Sequence, residues 1–332
     1  MVLEANTEYW NRDRFPRLQR IVFDNTLSQK EAVELVKASE GRVDVVTELS
    51  PLETLQVAQS PFATVVKNRG ALTTVFGFFN MRKTGSPWRN VRLRQAVNVA
   101  INREDLIRYA TKGNGVIIPA LLPVQDFGYD PALAPYPFDP RKARDLLREA
   151  GYAEGLAVTL IAPEDLQVQA TVTGKMLEQI GLTVELQVLD TVTYNRKTVL
   201  SHLEQPPEQQ LWDIALTTFN DHISLPALQI YHFFALDGPH DWVIEEPELR
   251  QLQEQVLHTV DRERQQELIR QMERHTRDHA YFLFLYNPIK LYAVNKAVEF
   301  IPYVTTILNL AETAVTEQHW SVRKQKAAGH GQ

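Results

Sequence analysis

The sequence has 332 residues, 44% hydrophobic and 23% charged, too apolar for a disordered chain and long enough for one large domain or two ordinary ones. Its 35 Lys and Arg against 41 Asp and Glu give a formal charge of -6, which leaves no basic field for a phosphate backbone and argues against nucleic acid as a partner. With no cysteine it can build no disulfide framework, thiolate zinc site, iron–sulfur cluster or cysteine nucleophile.

In chain order, LQRIVF at 18–23 alternates like a half-buried strand, and Ser28 with Glu31 forms a capping box opening a helix that stops at Gly41. Strand VDVV, a short helix opened by Ser50, Pro51 and Glu53, and strands TVVKN and TTVFGFFNM complete a mixed α/β opening. KTGSPWRN at 83–90 reads as a linker or hinge. Beyond it, Leu93, Ala96, Val97, Ala100 and Ile101 trace one buried helix face, and Asn102 with Asp105 caps a second helix ending near Gly113. The proline-rich stretch 116–137 is expected to be an ordered surface loop, followed by a helix from Asp139 and Pro140 to Gly151.

Next come strand LAVTLIA, a helix from about Asp165 to Ile180, strand TVELQVL, a helix near 193–203 and strand WDIALTTF. Such alternation predicts a parallel sheet with right-handed crossovers, and the loop 220–226 then lies at a strand's carboxyl end, where open α/β sheets bind ligands. Two helices fill 247–280 before strands YFLFLY and IKLYAVN. The tail 323–332 is polar and expected to be disordered. No apolar run approaches the ~18 residues of a membrane span, and the N-terminus MVLEANTEYWNRDRF shows no signal peptide.

Few side-chain patterns suggest chemistry. No G-x-S-x-G, H-E-x-x-H, phosphate-cradling or dinucleotide glycine motif occurs, so no catalytic residue, cofactor or metal is assigned and the chain is read as a non-enzyme. His275 and His279 have a metal-ligating spacing, yet they continue the apolar stripe of Leu268 and Met272 and lack a third ligand close in sequence. Arg92, Arg94, Arg103 and Arg108 read as a solvated helical face with local ion pairs.

Six stretches together resemble the family 5 solute-binding proteins of ABC importers: LEANTEYWNRDRFPRLQRIVF, GRVDVV, FGFFNMRKTGSPWRNVRLRQAVNVAINREDLI, GYDPALAPYPFDPRKARDLLREAGY, LWDIALTTF and LYNPIKLYAVN. The resemblance implies an α/β fold of the type II periplasmic-binding-protein kind, two lobes joined by two crossings and closing on a ligand. It puts 1–82 plus 288–322 in a first lobe and 83–287 in a second, so that Phe76 and Leu291 share the first lobe's sheet. It also implies that the first lobe is incomplete, since LEANTEYW stands well inside the chain in the family. Such a chain is expected to expose sheet edge, to self-associate and to bind ligand weakly alone. The longer parent is expected to be periplasmic or extracellular and lipid-anchored, with ABC permease subunits as partners and a small solute, an oligopeptide among the candidates, as ligand. The other reading is a non-transport interaction or sensor module derived from the same fold.

The resemblance also implies a ligand-binding set: Asn80 at the first crossing, and Phe219, Asn220, Asp221, His222 and Pro226 in the loop after WDIALTTF. In peptide receptors of the family that loop offers an aromatic followed three residues on by a carboxylate that captures the peptide's amino group. Counted from Phe219, that position holds His222, with Asp221 beside it, which weakens the free-amine peptide reading. For Asp221 and His222 a ligand contact and a solvated turn both remain open, and for Asn80 a cleft contact and the satisfaction of hinge backbone groups. Residues 117–127 are read either as the apolar wall of the pocket or as a proline-stiffened surface loop packed on its own lobe.

Overall fold

The computed structural model describes residues 1–38, 40, 42–199, 205–220, 242–244, 247–305 and 307–329. It divides into two compact units, one formed by Met1–Ala71 with Ile289–Gln332, the other by the inserted stretch Leu72–Pro288.

In the first unit, β1 (Val2–Glu4) and β2 (Arg20–Val22) form an antiparallel ribbon with Val2 opposite Val22. Helix α1 (Gln29–Ala38) opens on the expected capping box: the Glu31 carboxylate accepts the Ser28 N–H at 2.9 Å, and the Ser28 hydroxyl accepts the Glu31 N–H at 3.3 Å. It buries Val33 and Val36. After β3 (Val45–Val46), α2 (Thr54–Ala58) and β4 (Ala63–Asn68), the chain enters the inserted unit.

That unit holds β5 (Thr73–Phe79), α3 (Val91–Ala100), α4 (Arg103–Thr111), β6 (Gly115–Ile117), α5 (Pro140–Glu149), β7 (Leu156–Pro163), α6 (Gln167–Glu178), β8 (Leu182–Leu189), α7 (Thr191–Thr198), β9 (Ile214–Asn220), α8 (Pro247–His258), α9 (Arg262–Asp278) and β10 (Phe282–Pro288). Its strands form one sheet in the order β6-β10-β5-β9-β7-β8. Strands β8, β7 and β9 run parallel, as the strand–helix alternation predicts, while β5, β10 and β6 continue the sheet antiparallel. The sheet is therefore mixed. Every residue of β5 is buried, and a Cβ at Gly77 would lie 3.0 Å from Leu216 and 3.2 Å from Leu283, so the hydrogen there lets both leucines close over the strand.

The chain then returns to the first unit through β11 (Lys290–Asn295), β12 (Val298–Glu299), β13 (Ala314–Val315) and α10 (Trp320–Gly329). Strand β11 is the middle of a three-stranded sheet between β3 and β4, with Tyr292, Val294 and Phe300 as its core.

Four expectations change. Phe76 and Leu291 lie in different sheets, because β5 pairs with β9 and β10, so the inserted unit begins at Leu72 rather than residue 83. The tail read as disordered is helical over Trp320–Gly329, and its start is fastened where Asp44 Oδ1 meets His319 Nε2 at 3.1 Å and Trp320 Nε1 at 3.3 Å. Ile118, Ala120, Leu121 and Leu122, read as part of a surface loop, are fully buried. Finally, Arg94 and Arg103 belong to no solvated face: both are buried and bind backbone carbonyls.

The proline-rich stretch is held by α9. The Glu273 carboxylate accepts the N–H groups of Leu121 and Leu122, each at 3.1 Å, while Arg270 and Arg277 donate to the carbonyls of Tyr129 and Ala134. Asp130 is buried and accepts from Arg274 at 2.7 Å. Burial pushes its carboxyl up, but the Arg274 bond, the Ala132 N–H and the charges of Arg274 and Arg270 outweigh that and hold it below the ordinary carboxylate range. A folded-state value below the unfolded one stabilises above pH ~4 and is lost as pH falls through the folded value. Asp130→Asn is therefore expected to flatten the acid limb of a stability–pH profile by ~1 kcal/mol, small because Arg274 is partly solvated. An acid limb unchanged by the substitution would show that Asp130 carries no such linkage.

Candidate functional site

Strand direction decides which residues of the inserted unit can meet. Because β7, β8 and β9 are parallel, their carboxyl ends at Pro163, Leu189 and Asn220 leave the sheet on one edge. Antiparallel pairing brings the beginnings of β5 and β6 and the end of β10 to the same edge, with Thr73 opposite Asn220 and Pro288 opposite Gly115. Both points where the chain enters and leaves the unit, Leu72 and Pro288, are thus on the carboxyl edge.

The polar groups there are neutral and tied to one another. The Thr73 hydroxyl donates to Asn220 Oδ1 at 2.9 Å, and Asn287 Nδ2 donates to the Thr73 carbonyl at 2.8 Å and to the Thr74 hydroxyl at 2.9 Å. Thr74 in turn donates to the Leu121 carbonyl at 2.9 Å, so this apolar segment borders the edge. Gln169, near the start of α6, donates to the Tyr286 hydroxyl at 3.0 Å. Burial pushes that phenol up to about 12, with the Gln169 bond opposing, so it stays protonated at neutral pH. Thr73, Thr74 and Asn287 are buried, whereas Phe219 and Asn220 keep partial exposure. At the parallel strands' ends Glu164 and Asp165 are exposed, and Asp190 is occupied in capping α7 through the N–H groups of Val192 and Thr193. The buried threonines and Asn287 brace the edge, while Thr218, Phe219 and Asn220 at the end of β9 keep partial exposure and so offer a hydroxyl, an aromatic ring and an amide to a polar solute.

Of the sequence-derived set, Phe219 and Asn220 stand together on this edge. Asp221, His222 and Pro226 lie outside the described residues. Asn80 follows the far end of β5, roughly 20 Å along the strand from Thr73. It is fully buried, donates to the carbonyls of Gln210 and Trp212 at 3.3 and 3.2 Å, and accepts the Lys83 N–H at 2.9 Å. Its amide is spent on backbone groups, the structural one of its two roles.

Around Asn80 is a buried network that sequence reasoning missed. Asp213 accepts from Lys83 Nζ at 3.0 Å and Trp88 Nε1 at 3.2 Å through one oxygen, and from the Thr159 N–H at 2.9 Å through the other. An acid directly before an apolar strand, in LWDIALTTF, was the available signal. The rings of His275 and His279 lie 4.1 Å apart between centroids, tilted by 31°, with His275 Nδ1 3.6 Å from Glu248, and among the described residues no cluster of three or more potential ligands could hold a metal ion.

Comparison with known proteins places this geometry. Residues 1–234 match the family described as bacterial extracellular solute-binding proteins, family 5 Middle. The glutathione-binding protein GsiB of Escherichia coli (strain K12) is 34% identical over 121 residues, which are 34% of this chain and 22% of that protein. Among solved structures, DppA from Helicobacter pylori, described as an ABC transporter-associated periplasmic binding protein in complex with peptide STSA, superposes with a TM-score of 0.76 at 20% identity, covering 95% of this chain and 60% of that one. The ABC transporter substrate-binding protein CtaP from Listeria monocytogenes gives 0.80 at 19% identity, covering 95% and 64%. At such identities the structural likeness shows the fold. The match spans about a fifth of GsiB and less than two thirds of the two solved chains.

Proposed function

The chain belongs to the bacterial extracellular solute-binding proteins of family 5, and from that premise we propose that it binds a small, peptide-like solute for an ABC importer. The observation that carries the reading is the carboxyl edge of the inserted sheet, where Phe219 and Asn220 stand beside both points at which the chain enters and leaves the unit. A solute seated there would act by differential affinity, favouring the closed arrangement that the permease takes. Turning a 1:99 population into 99:1 needs ~5.5 kcal/mol of preference, which contacts from one side alone do not supply. Amide and hydroxyl groups match the donors and acceptors of a peptide backbone. GsiB, named for glutathione, and DppA, solved with a peptide, support the ligand class. The reading places the protein outside the cytoplasm and gives it no bond-making step; among the described residues no helix is long and apolar enough to cross a membrane.

The test is an amide-resolved NMR titration of the chain with glutathione, a dipeptide and a tetrapeptide, which detects weak binding. The expected result is saturable shifts at Thr73, Thr217, Phe219 and Asn220 with at least one of them, reduced by Asn220→Ala. Shifts confined to other surfaces, none with any of the three, or turnover of the peptide would overturn the reading.

A further inference from the structure

An amide or a hydroxyl on the carboxyl edge can be turned two ways, and the carbonyls around it decide which, because a carbonyl oxygen only accepts. The Leu121 carbonyl takes the Thr74 proton at 2.9 Å, so the Thr74 oxygen is left to accept from Asn287 Nδ2 at 2.9 Å. The Thr73 carbonyl, 2.8 Å from the same Nδ2, sets Asn287 identically. The Leu121 end of this series is anchored by the Glu273 carboxylate through the N–H groups of Leu121 and Leu122. At the other end Thr73, the first residue of β5 and fully buried, stands directly opposite Asn220, and its hydroxyl donates to Asn220 Oδ1 at 2.9 Å. The Asn220 oxygen is therefore turned toward the buried threonine. Its Nδ2 carries two N–H donors that no described residue accepts, on a residue that keeps partial exposure.

We propose that Thr73 is the positioning residue of this edge: its hydroxyl turns the Asn220 amide so that Nδ2 donates to an acceptor oxygen of the solute, a peptide carbonyl, rather than receiving an amino group. The inference rests on the peptide-binding reading and adds to it the polarity of one contact. An ammonium needs an acceptor, and Oδ1 already holds the Thr73 proton. A carbonyl needs a donor, which Nδ2 supplies. Holding the amide in one orientation before the solute arrives removes part of the ordering cost of binding. Thr73 is buried and acts on the solute only through Asn220.

The experiment is an NMR titration of the whole chain read at the Asn220 side-chain amide, with whichever of glutathione, the dipeptide and the tetrapeptide binds tightest, and with its N-acetylated form. In the ligand-free chain the Nδ2 protons are expected to exchange readily with water. Both solutes should shift them at saturation, since acetylation removes the ammonium and keeps the carbonyls. Thr73→Val keeps the buried volume without the hydroxyl and is expected to weaken binding about fivefold, whereas Thr73→Ser stays within about twofold of the parent. Asn220→Asp keeps an oxygen toward Thr73 and replaces the donor by a second oxygen, so it should weaken binding more than tenfold. Because water reaches the partly exposed Asn220 amide, the urea midpoint of Thr73→Val should stay close to the parent's, which separates positioning from stability. Should that midpoint fall, Asn220→Asp and the Nδ2 protons decide the matter. Binding unchanged in Thr73→Val or in Asn220→Asp, Nδ2 protons protected in the ligand-free chain, or an N-acetylated peptide that binds without moving them would overturn the inference and leave the peptide-binding reading standing. A parent chain that responds to none of the peptides would remove both.

Discussion

Arg103→Leu is expected to lower the stability of the inserted unit by about 3–5 kcal/mol, enough to threaten its folding at 37 °C. The guanidinium is buried and donates to the carbonyls of Phe284 at 2.9 Å, Asn98 at 3.1 Å, Ile101 at 3.2 Å and Tyr136 at 3.3 Å, and to the Asn98 side chain at 3.2 Å. Burial pushes it down to about 10, with Tyr136 raising and Arg277 lowering it, and it remains charged at neutral pH. Leucine fills much of the space yet leaves several buried acceptors without a donor, at ~1–3 kcal/mol each where no other group reaches them. Arg103→Lys keeps the charge but cannot form the planar fork, so it should recover less than half of the loss. Urea titrations followed through Trp88, Trp212 and Trp242, all buried in this unit, give the comparison. A loss under ~1 kcal/mol, or a lysine variant as stable as the parent, would show that water or a shifted backbone satisfies those carbonyls.

The same arginine shows where the sequence stops being readable. Local signals were legible: the Ser28–Glu31 box, the Asn102 and Asp139 caps and the β7–α6–β8 crossover all form as read, because each depends on residues within a few positions or on periodicity. Arg94 and Arg103 looked like solvent-facing charges, since their acceptors, the carbonyls of Ala280 and Phe284, come from the far end of the unit. Likewise the segment around Leu121 and Leu122 read as surface because its prolines were visible and the Glu273 carboxylate that holds its N–H groups was not. For the candidate site, strand alternation points to the loop 220–226 and the resemblance adds Phe219; of these, Phe219 and Asn220 fall within the described residues and lie at the carboxyl end of β9. The antiparallel pairing of β5 with β9 was invisible, and it is what sends Asn80 to the opposite edge. Pairing register between strands well over a hundred residues apart follows from how two buried faces pack, and β5, apolar on both faces, carries no alternation to announce its neighbours.

At that opposite edge lies the second large effect. Asp213→Ala should cost about 3–5 kcal/mol, because a single carboxylate serves three donors in a region that admits little water. Its loss leaves the Trp88 indole N–H, which is fully buried, and the Thr159 N–H unpaired, and deprives Lys83 of its counter-charge. Lys83 is 26% exposed and also donates to the Leu211 carbonyl, so it suffers least. Asp213→Asn isolates that difference: one amide oxygen still accepts, while the Nδ2 now meets a donor, and the cost should fall to roughly 2 kcal/mol. Combining it with Lys83→Met closes a double-mutant cycle whose coupling should be ~1 kcal/mol, well below the single cost, if the indole and the Thr159 N–H dominate. The physical consequence is local, since the Asn80 N–H donates to the Asp213 carbonyl at 2.9 Å and its side chain holds the turn carrying Lys83. Amide hydrogen exchange should therefore speed up first over 80–90 in Asp213→Asn while the end of β9 at Phe219 and Asn220 keeps its protection. Equal loss of protection at both ends of β9 would mean that the network supports the whole sheet rather than the turn.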